Sequence, residues 1–178
     1  DAAPRKHYEN AAKHFARVLL SLTQVQREYR PAGSSMPIAY FLNMELANAQ
    51  VFAGSNSDPV PKSAFDIYEE LAKKFEADTA VWLRLGRARV KSARYGAPGP
   101  AKRTELQSAI RDLNKALSVA PFDALVDPEH WVYFEAPLQI GICFWQIAEF
   151  PNLPAENRRD ALDQALRHTK AVLERKLP

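Results

Sequence analysis

The sequence is poor in cysteine, glycine and long apolar runs. It has one cysteine and 6 glycines in 178 residues. A single cysteine excludes an internal disulfide framework, and scarce glycine argues against turn-dense β folds. Because Cys143 lies in an apolar run, we expect a buried structural thiol. No apolar run approaches the roughly 18 residues that a membrane-spanning helix needs, so we expect no membrane span.

The net charge is also small, although charged residues make up an ordinary 25% of the chain. Lys and Arg number 24 against 21 Asp and Glu, which leaves a net charge of +3. Arg87, Arg94, Lys102 and Arg103 cluster, but the chain as a whole interleaves acidic residues with basic ones and its net charge is only +3, so a nucleic-acid partner is not expected. We expect no signal peptide within these residues, and a start at Asp1 without Met is compatible with a mature or trimmed product whose leader has been removed. The compartment therefore stays open between cytoplasm and periplasm or secretion.

Strong helix formers dominate what is present. The chain has 28 Ala and 18 Leu but only 20 Val, Ile and Thr together, a composition typical of an all-α protein. Apolar periodicity and Pro or Gly punctuation predict seven helices, and the short links between them predict antiparallel neighbours. Asp78 is the expected N-cap of the fourth helix, and Pro137 should kink or split the sixth. The predicted helices span about residues 4–29, 35–53, 61–77, 79–95, 101–119, 128–150 and 155–177.

A repeated order of large and small residues marks the fourth and fifth predicted helices. The pattern consists of Trp82, Leu85 and Gly86, then Ala109, Leu113, Ala116 and Pro121. It resembles the tetratricopeptide repeat, a helix-turn-helix unit of about 34 residues. The resemblance implies that the two small residues let the helices approach closely, while Trp82 and Leu113 fill the gap between them. Arg89 stands where the family has a large aromatic residue. We expect either that its stem packs while its head reaches solvent or that a carboxylate pairs with it, for which Asp112 is the candidate.

The resemblance extends over about residues 36–176. The run Ile140-Gly141-x-x-Phe144, followed by Ala161 and Ala165, fits a later unit. We therefore expect a single domain, 1–178, built as a right-handed array of antiparallel helix pairs. It would comprise a capping helix and linker (1–34) and three degenerate repeats (35–78, 79–122 and 123–178).

Groups for catalysis or metal binding are scarce. There is no glycine-rich phosphate loop and no His-Glu-x-x-His pair. His7 and His14 share a helix face without a third ligand nearby, and His130 precedes Glu135 without a nucleophile. His168 falls on a charged helix and is expected at the surface. We therefore expect no enzyme activity, no metal and no cofactor.

One face of the fourth predicted helix is cationic. Arg84, Arg87 and Lys91 lie opposite the packed stripe when residues advance by about 100° each. The resemblance implies that this side of each first helix lines a concave groove that holds extended or helical peptides. Cations there suit acidic side chains or a C-terminal carboxylate. The predicted ligand-binding set is Arg84, Arg87, Lys91, Asn43, Gln139, Ile142 and Gln146.

The leading functional hypothesis is a protein–protein interaction scaffold or adaptor. A second hypothesis is homodimer formation through the first predicted helix, whose apolar stripe could instead cover the array as a cap. A third is RNA binding by a helical repeat. The stripe comprises Tyr8, Phe15, Val18, Leu22, Val25 and Tyr29.

Overall fold

The fold is helical, as the composition predicts. The computed structural model describes residues 2–53, 60–120 and 132–174, and 82% of these are helical with no strand among them. None of the helices in these ranges is both long and apolar enough to cross a membrane. The helices are α1 (Ala2–Ser21), α2 (Gln24–Glu28), α3 (Ile38–Ala53), α4 (Lys62–Lys74), α5 (Thr79–Tyr95), α6 (Pro100–Val119), α7 (Val132–Ala148) and α8 (Ala155–Glu174).

The chain divides into two compact units, Asp1–Lys74 and Phe75–Pro178. In the first unit α1, α2 and α4 each contact α3. Tyr8 of α1 meets Phe52 of α3 with ring centroids 5.6 Å apart. Met44 of α3 and Tyr68 of α4 are buried. The contact of α1 with α3 is what a covering helix would make, while dimer formation through α1 stays a prediction.

The prediction of a single first helix over 4–29 is wrong, because α1 ends at Ser21 and a new helix, α2, begins at Gln24. The Thr23 hydroxyl accepts a hydrogen bond from the Gln26 amide at 3.3 Å, and the Gln26 side chain accepts one from the Thr23 amide at 2.8 Å. This capping box satisfies amide groups that a new helix start would otherwise leave unpaired. The apolar stripe is consequently shared between α1 and α2, and Val25 and Tyr29 are exposed.

The second unit contains two helix pairs, α5/α6 and α7/α8, and α7 also contacts α5 and α6. The predicted N-cap is confirmed, since Asp78 Oδ1 accepts a hydrogen bond from the Ala80 amide at 2.9 Å. Leu106 and Leu113 of α6 and Ile140 of α7 are fully buried in one core cluster. This packing fixes which sides of α5 and α7 are open.

Of the two outcomes expected at Pro137, a kink or a split, the split does not occur in the described part of the sixth predicted helix. α7 runs without interruption from Val132 to Ala148 with Pro137 inside it. Proline removes one backbone hydrogen bond, and here burial of Ala136, Pro137 and Ile140 on the packed side holds the helix together. Pro121 and His130, which the sequence predictions also used, lie outside the described residues.

Candidate functional site

A close crossing of α5 and α6 sets the orientation of α5. A Cβ atom on Gly86 would lie 2.6 Å from Leu113 Cγ and 3.4 Å from the Ala109 carbonyl oxygen, so only glycine fits without a shift. The predicted roles of Gly86, Ala109 and Leu113 are therefore confirmed. Trp82 is only half-buried at the edge of the core, and its indole donates a hydrogen bond to the Glu76 carbonyl at 2.9 Å.

The predicted pair of Arg89 and Asp112 is present beside this crossing. Arg89 Nε lies 2.8 Å from Asp112 Oδ2, and a second carboxylate, that of Glu105, lies 3.3 Å from Arg89 Nη1. Arg89 thus fills an aromatic position with a guanidinium held by two acids. The extra partner was missed because Glu105 lies about two turns before Asp112 on α6.

The predicted cations lie on the side of α5 away from this crossing. Arg84 and Lys91 are half-buried, whereas Arg87 is exposed. Arg87 Nε lies 3.3 Å from Glu135 Oε1 of α7, and the Arg87 side chain is 48% exposed. Gln139 Nε2 donates a hydrogen bond to the same Glu135 oxygen at 3.0 Å. The structure therefore brings together Arg87, Glu135 and Gln139 across two helices.

The sequence predictions considered Glu135 only beside His130, in a poor catalytic constellation, and did not include it in the ligand-binding set. The spacing of four residues between Glu135 and Gln139 does indicate that the two side chains are neighbours on the helix. The missing information was which helix faces them, and this depends on the packing of α7 against α5.

The other predicted ligand-binding residues are less open. Ile142 packs against the core cluster, and Gln146 is buried. The Gln146 Oε1 atom has no hydrogen-bond partner among the described residues. Asn43 belongs to the first unit, where its side-chain amide donates to the Ala39 carbonyl at 2.8 Å.

The remaining groups with chemical potential are protected or dispersed. Cys143 is buried, and burial raises the pKa of its thiol to about 12, which keeps it protonated. No group of three metal-ligating side chains occurs within 2–53, 60–120 and 132–174. A shallow cleft of about 300 Å³ lies between the α5–α6 and α7–α8 links, where Arg103 supplies a charge among mainly apolar residues such as Pro98 and Phe150.

His168 lies at the surface, as the sequence predicts, but it is half-buried. Its ring stacks on Phe144 of α7, with centroids 5.9 Å apart and planes 17° from parallel. Burial lowers the pKa of His168 below its ordinary value, and the charge of Arg167 lowers it further. The partial burial has a simple cause: the neighbour that covers His168 belongs to another helix.

Comparisons with protein-family models, curated proteins and solved structures gave no match to this chain.

Proposed function

We propose that this protein is an interaction scaffold or adaptor that binds a peptide or partner helix through a ligand carboxylate at Arg84, Arg87 and Lys91. The observation that carries the proposal is the Arg87 guanidinium, which already holds a carboxylate from a neighbouring helix. Glu135 thus stands where a ligand acid would bind. The cofactor-free, non-enzymatic character of such a module is part of the same proposal.

Exchange of one acid for another is energetically feasible at this position. The Arg87 side chain is 48% exposed and Glu135 is half-buried, so water screens the ion pair from the Arg87 side and its contribution is about 1 kcal/mol. A ligand carboxylate that also met Arg84 or Lys91 would gain a second charge-assisted contact. Release of Glu135 would also free the Gln139 amide for the ligand backbone, because that amide now donates to Glu135.

Gln146 supports a polar contact on the same helix. Its buried Oε1 lacks a partner among the described residues, and an unsatisfied buried acceptor costs about 1–3 kcal/mol. A ligand amide would satisfy it once the Gln146 side chain turns outward, because the oxygen has almost no exposed surface in the free protein. Gln146→Leu should consequently stabilise the free protein while weakening peptide binding, a combination that a purely structural glutamine would not produce.

The proposed fold is a tetratricopeptide-like array. The support comes from repetition of the crossing: Gly141 of α7 approaches Ala165 and Thr169 of α8 much as Gly86 approaches Ala109 and Leu113. Each of these contacts lies at the same place in its own helix pair.

A displayed peptide library with free or amidated C-termini provides the test. We expect the selected peptides to carry a carboxylate, and Arg84→Glu/Arg87→Glu to weaken their binding at least about tenfold, because each shielded charge-assisted contact contributes about 1.5–3 kcal/mol. Glu135→Gln should tighten binding by removing the competing acid. The matched control is Arg111→Glu, an exposed arginine of α6. Unchanged affinity in the double variant would overturn the proposal.

A further inference from the structure

The two helix pairs of the second unit correspond residue by residue. A Cβ atom on Gly141 would lie 3.1 Å from Thr169 Oγ1 and 3.3 Å from the Ala165 carbonyl oxygen. Gly86 has the same relation to two residues of α6, which are likewise four positions apart. Positions in α7 therefore have counterparts in α5 at an offset of 55 residues, and positions in α8 have counterparts in α6 at an offset of 56 residues.

The counterparts in α5/α6 carry a covered apolar face. Val90 and Leu106 are buried in the core cluster, and three further apolar residues pack against it. Val132, Ile140 and Cys143 of α7 belong to the same cluster, so α7 is the helix that covers this face. The three further residues are Leu83, Ile110 and Leu117.

The matching face of α7/α8, which we call the open face, is apolar but exposed. Its large side chains are exposed to between 38% and 79%, and a monomer rarely leaves such a continuous patch in water. Phe144 and His168 stack on each other next to the crossing and are not part of this face. The open face consists of Leu138, Trp145, Leu162, Leu166 and Leu173.

The open face does not suit another helix of the α7 kind. The residue of α7 that meets Arg87 of α5 is the acidic Glu135, and the counterpart of Arg87 in α7 is Ile142. An acidic group at that point would be buried against an apolar side chain at a cost. A partner that covers the open face should therefore be apolar at the centre of its contact surface, with its charged residues at the edge of that surface.

The exposed side of α8 is complementary to the same side of a second α8. Leu162, Leu166, Thr169 and Leu173 are spaced by four, three and four residues, the seam of a coiled coil. This spacing reads the same in both directions, so two copies of α8 fit together antiparallel. Asp163 and Lys170 flank the seam on one side, seven residues apart.

An antiparallel arrangement would place Asp163 of one copy beside Lys170 of the other, and would do so twice. In the single chain Lys170 contacts Glu174 at 3.4 Å, and both side chains are about two-thirds exposed. That internal pair is weak, so Lys170 can turn to a partner.

We propose that the open face binds the open face of a second copy, with the two α8 helices antiparallel about a two-fold axis. Such an isologous contact uses the same residues twice and closes on itself. Because the two halves of the contact come from two separate chains, the fraction of dimer rises with protein concentration. The proposal is independent of peptide binding at Arg87.

Sedimentation analysis across a concentration series tests the dimer. We expect the wild type to dimerise at or below about 100 μM chain, and Leu166→Glu to weaken the dimer at least about tenfold. Leu20→Glu changes an exposed leucine of α1 and should leave the dimer unchanged. A wild type that stays monomeric, as it would if another protein or further chain covered the face, overturns the proposal. So does a dimer that Leu166→Glu leaves intact.

Charge reversal tests the antiparallel orientation without altering the apolar seam. Asp163→Lys and Lys170→Asp should each weaken self-association, since like charges would meet. An equimolar mixture of the two variants should recover dimers, because each supplies the charges that the other needs. Circular dichroism of both variants establishes that they are folded. Failure of the mixture to recover would overturn the antiparallel pairing.

Discussion

The α5/α6 and α7/α8 pairs cross at a glycine in the same register, but they are packed to different tightness. A Cβ atom on Gly86 would come within 2.6 Å of a leucine carbon, whereas one on Gly141 would stay 3.1 Å from a threonine oxygen. Leu113 is fully buried, while Thr169 is half-buried and its hydroxyl donates to the Ala165 carbonyl at 2.9 Å. The first crossing is therefore an apolar contact beneath a third helix, and the second lies at an open edge.

The neighbouring position shows that the same space can be filled by different chemistry. In α5/α6 it holds the ion pair of Arg89 with Asp112, and in α7/α8 the counterparts are the stacked rings of Phe144 and His168. Both pairs are flat groups in contact across two helices. The glycine fixes the distance between the helices, and the chemistry of the adjoining pair is free to differ as long as its volume fits.

The largest expected difference between the pairs is in truncation at the crossing. Leu113→Ala should lower the free energy of unfolding by about 2–5 kcal/mol, because it leaves a cavity in a fully buried place. Thr169→Ala removes a half-buried hydroxyl and methyl group and should cost less than about 1 kcal/mol. Urea unfolding followed by circular dichroism measures both. Equal losses would show that the two crossings are packed alike.

The next expected difference comes from adding a methyl group. Gly86→Ala should destabilise by about 1–3 kcal/mol, since it forces Leu113 or the helix to move. Gly141→Ala should lie within about 1 kcal/mol of wild type, because a small displacement of Thr169 suffices and alanine favours the helix. Urea unfolding of the two variants decides this. A Gly86→Ala protein as stable as wild type would mean that α6 yields easily at the crossing.

A smaller effect is expected from the ion pair. Asp112→Ala should cost about 1–2 kcal/mol, less than the loss of a fully buried partner, because Glu105 still holds Arg89. Arg89→Phe/Asp112→His transfers the ring pair of α7/α8 into α5/α6. If the volume of the two side chains, and not their charge, determines stability at this position, this double variant should be at least as stable as Asp112→Ala in thermal unfolding. A double variant markedly less stable would show that the position in α5/α6 requires charge.

Local signals in the sequence predicted much of this structure. Asp78 caps α5, and Gly86 sits at a close crossing, because both effects depend on residues within one helix or on a repeated spacing. The break before Thr23 also had a local signal, the Thr-x-x-Gln box, which the continuous apolar stripe concealed. Helical periodicity alone does not show where a stripe is interrupted.

Apart from the pairing of Arg89 with Asp112, contacts that depend on a neighbouring helix were not predictable in this way. Gln146 lies at a helical position equivalent to Lys91, yet it is buried while Lys91 is half-buried. The contact of Glu135 with Arg87 depends on how α7 lies against α5. A helical wheel gives the side on which a residue lies but does not identify the helix that it faces.

The smallest expected effect is a pH dependence that belongs to α7/α8 alone. Stacking of His168 on Phe144 buries the imidazole, and this lowers the pKa of His168 in the folded protein, with Arg167 adding to the shift. The unfolded chain therefore takes up the proton at a higher pH than the folded chain does. The free energy of unfolding should fall as pH drops below the ordinary histidine pKa of 6.5, and the loss should stop once the folded form is also protonated.

Urea unfolding from about pH 7.5 to about pH 5.5 measures this slope, and His168→Gln should flatten it. His14→Gln, which changes an exposed histidine of α1, is the control and should retain the wild-type slope. If His168→Gln left the slope unchanged, the pH dependence would come from groups other than the stacked pair of Phe144 and His168. The ring pair would then not differ from the ion pair in its response to pH.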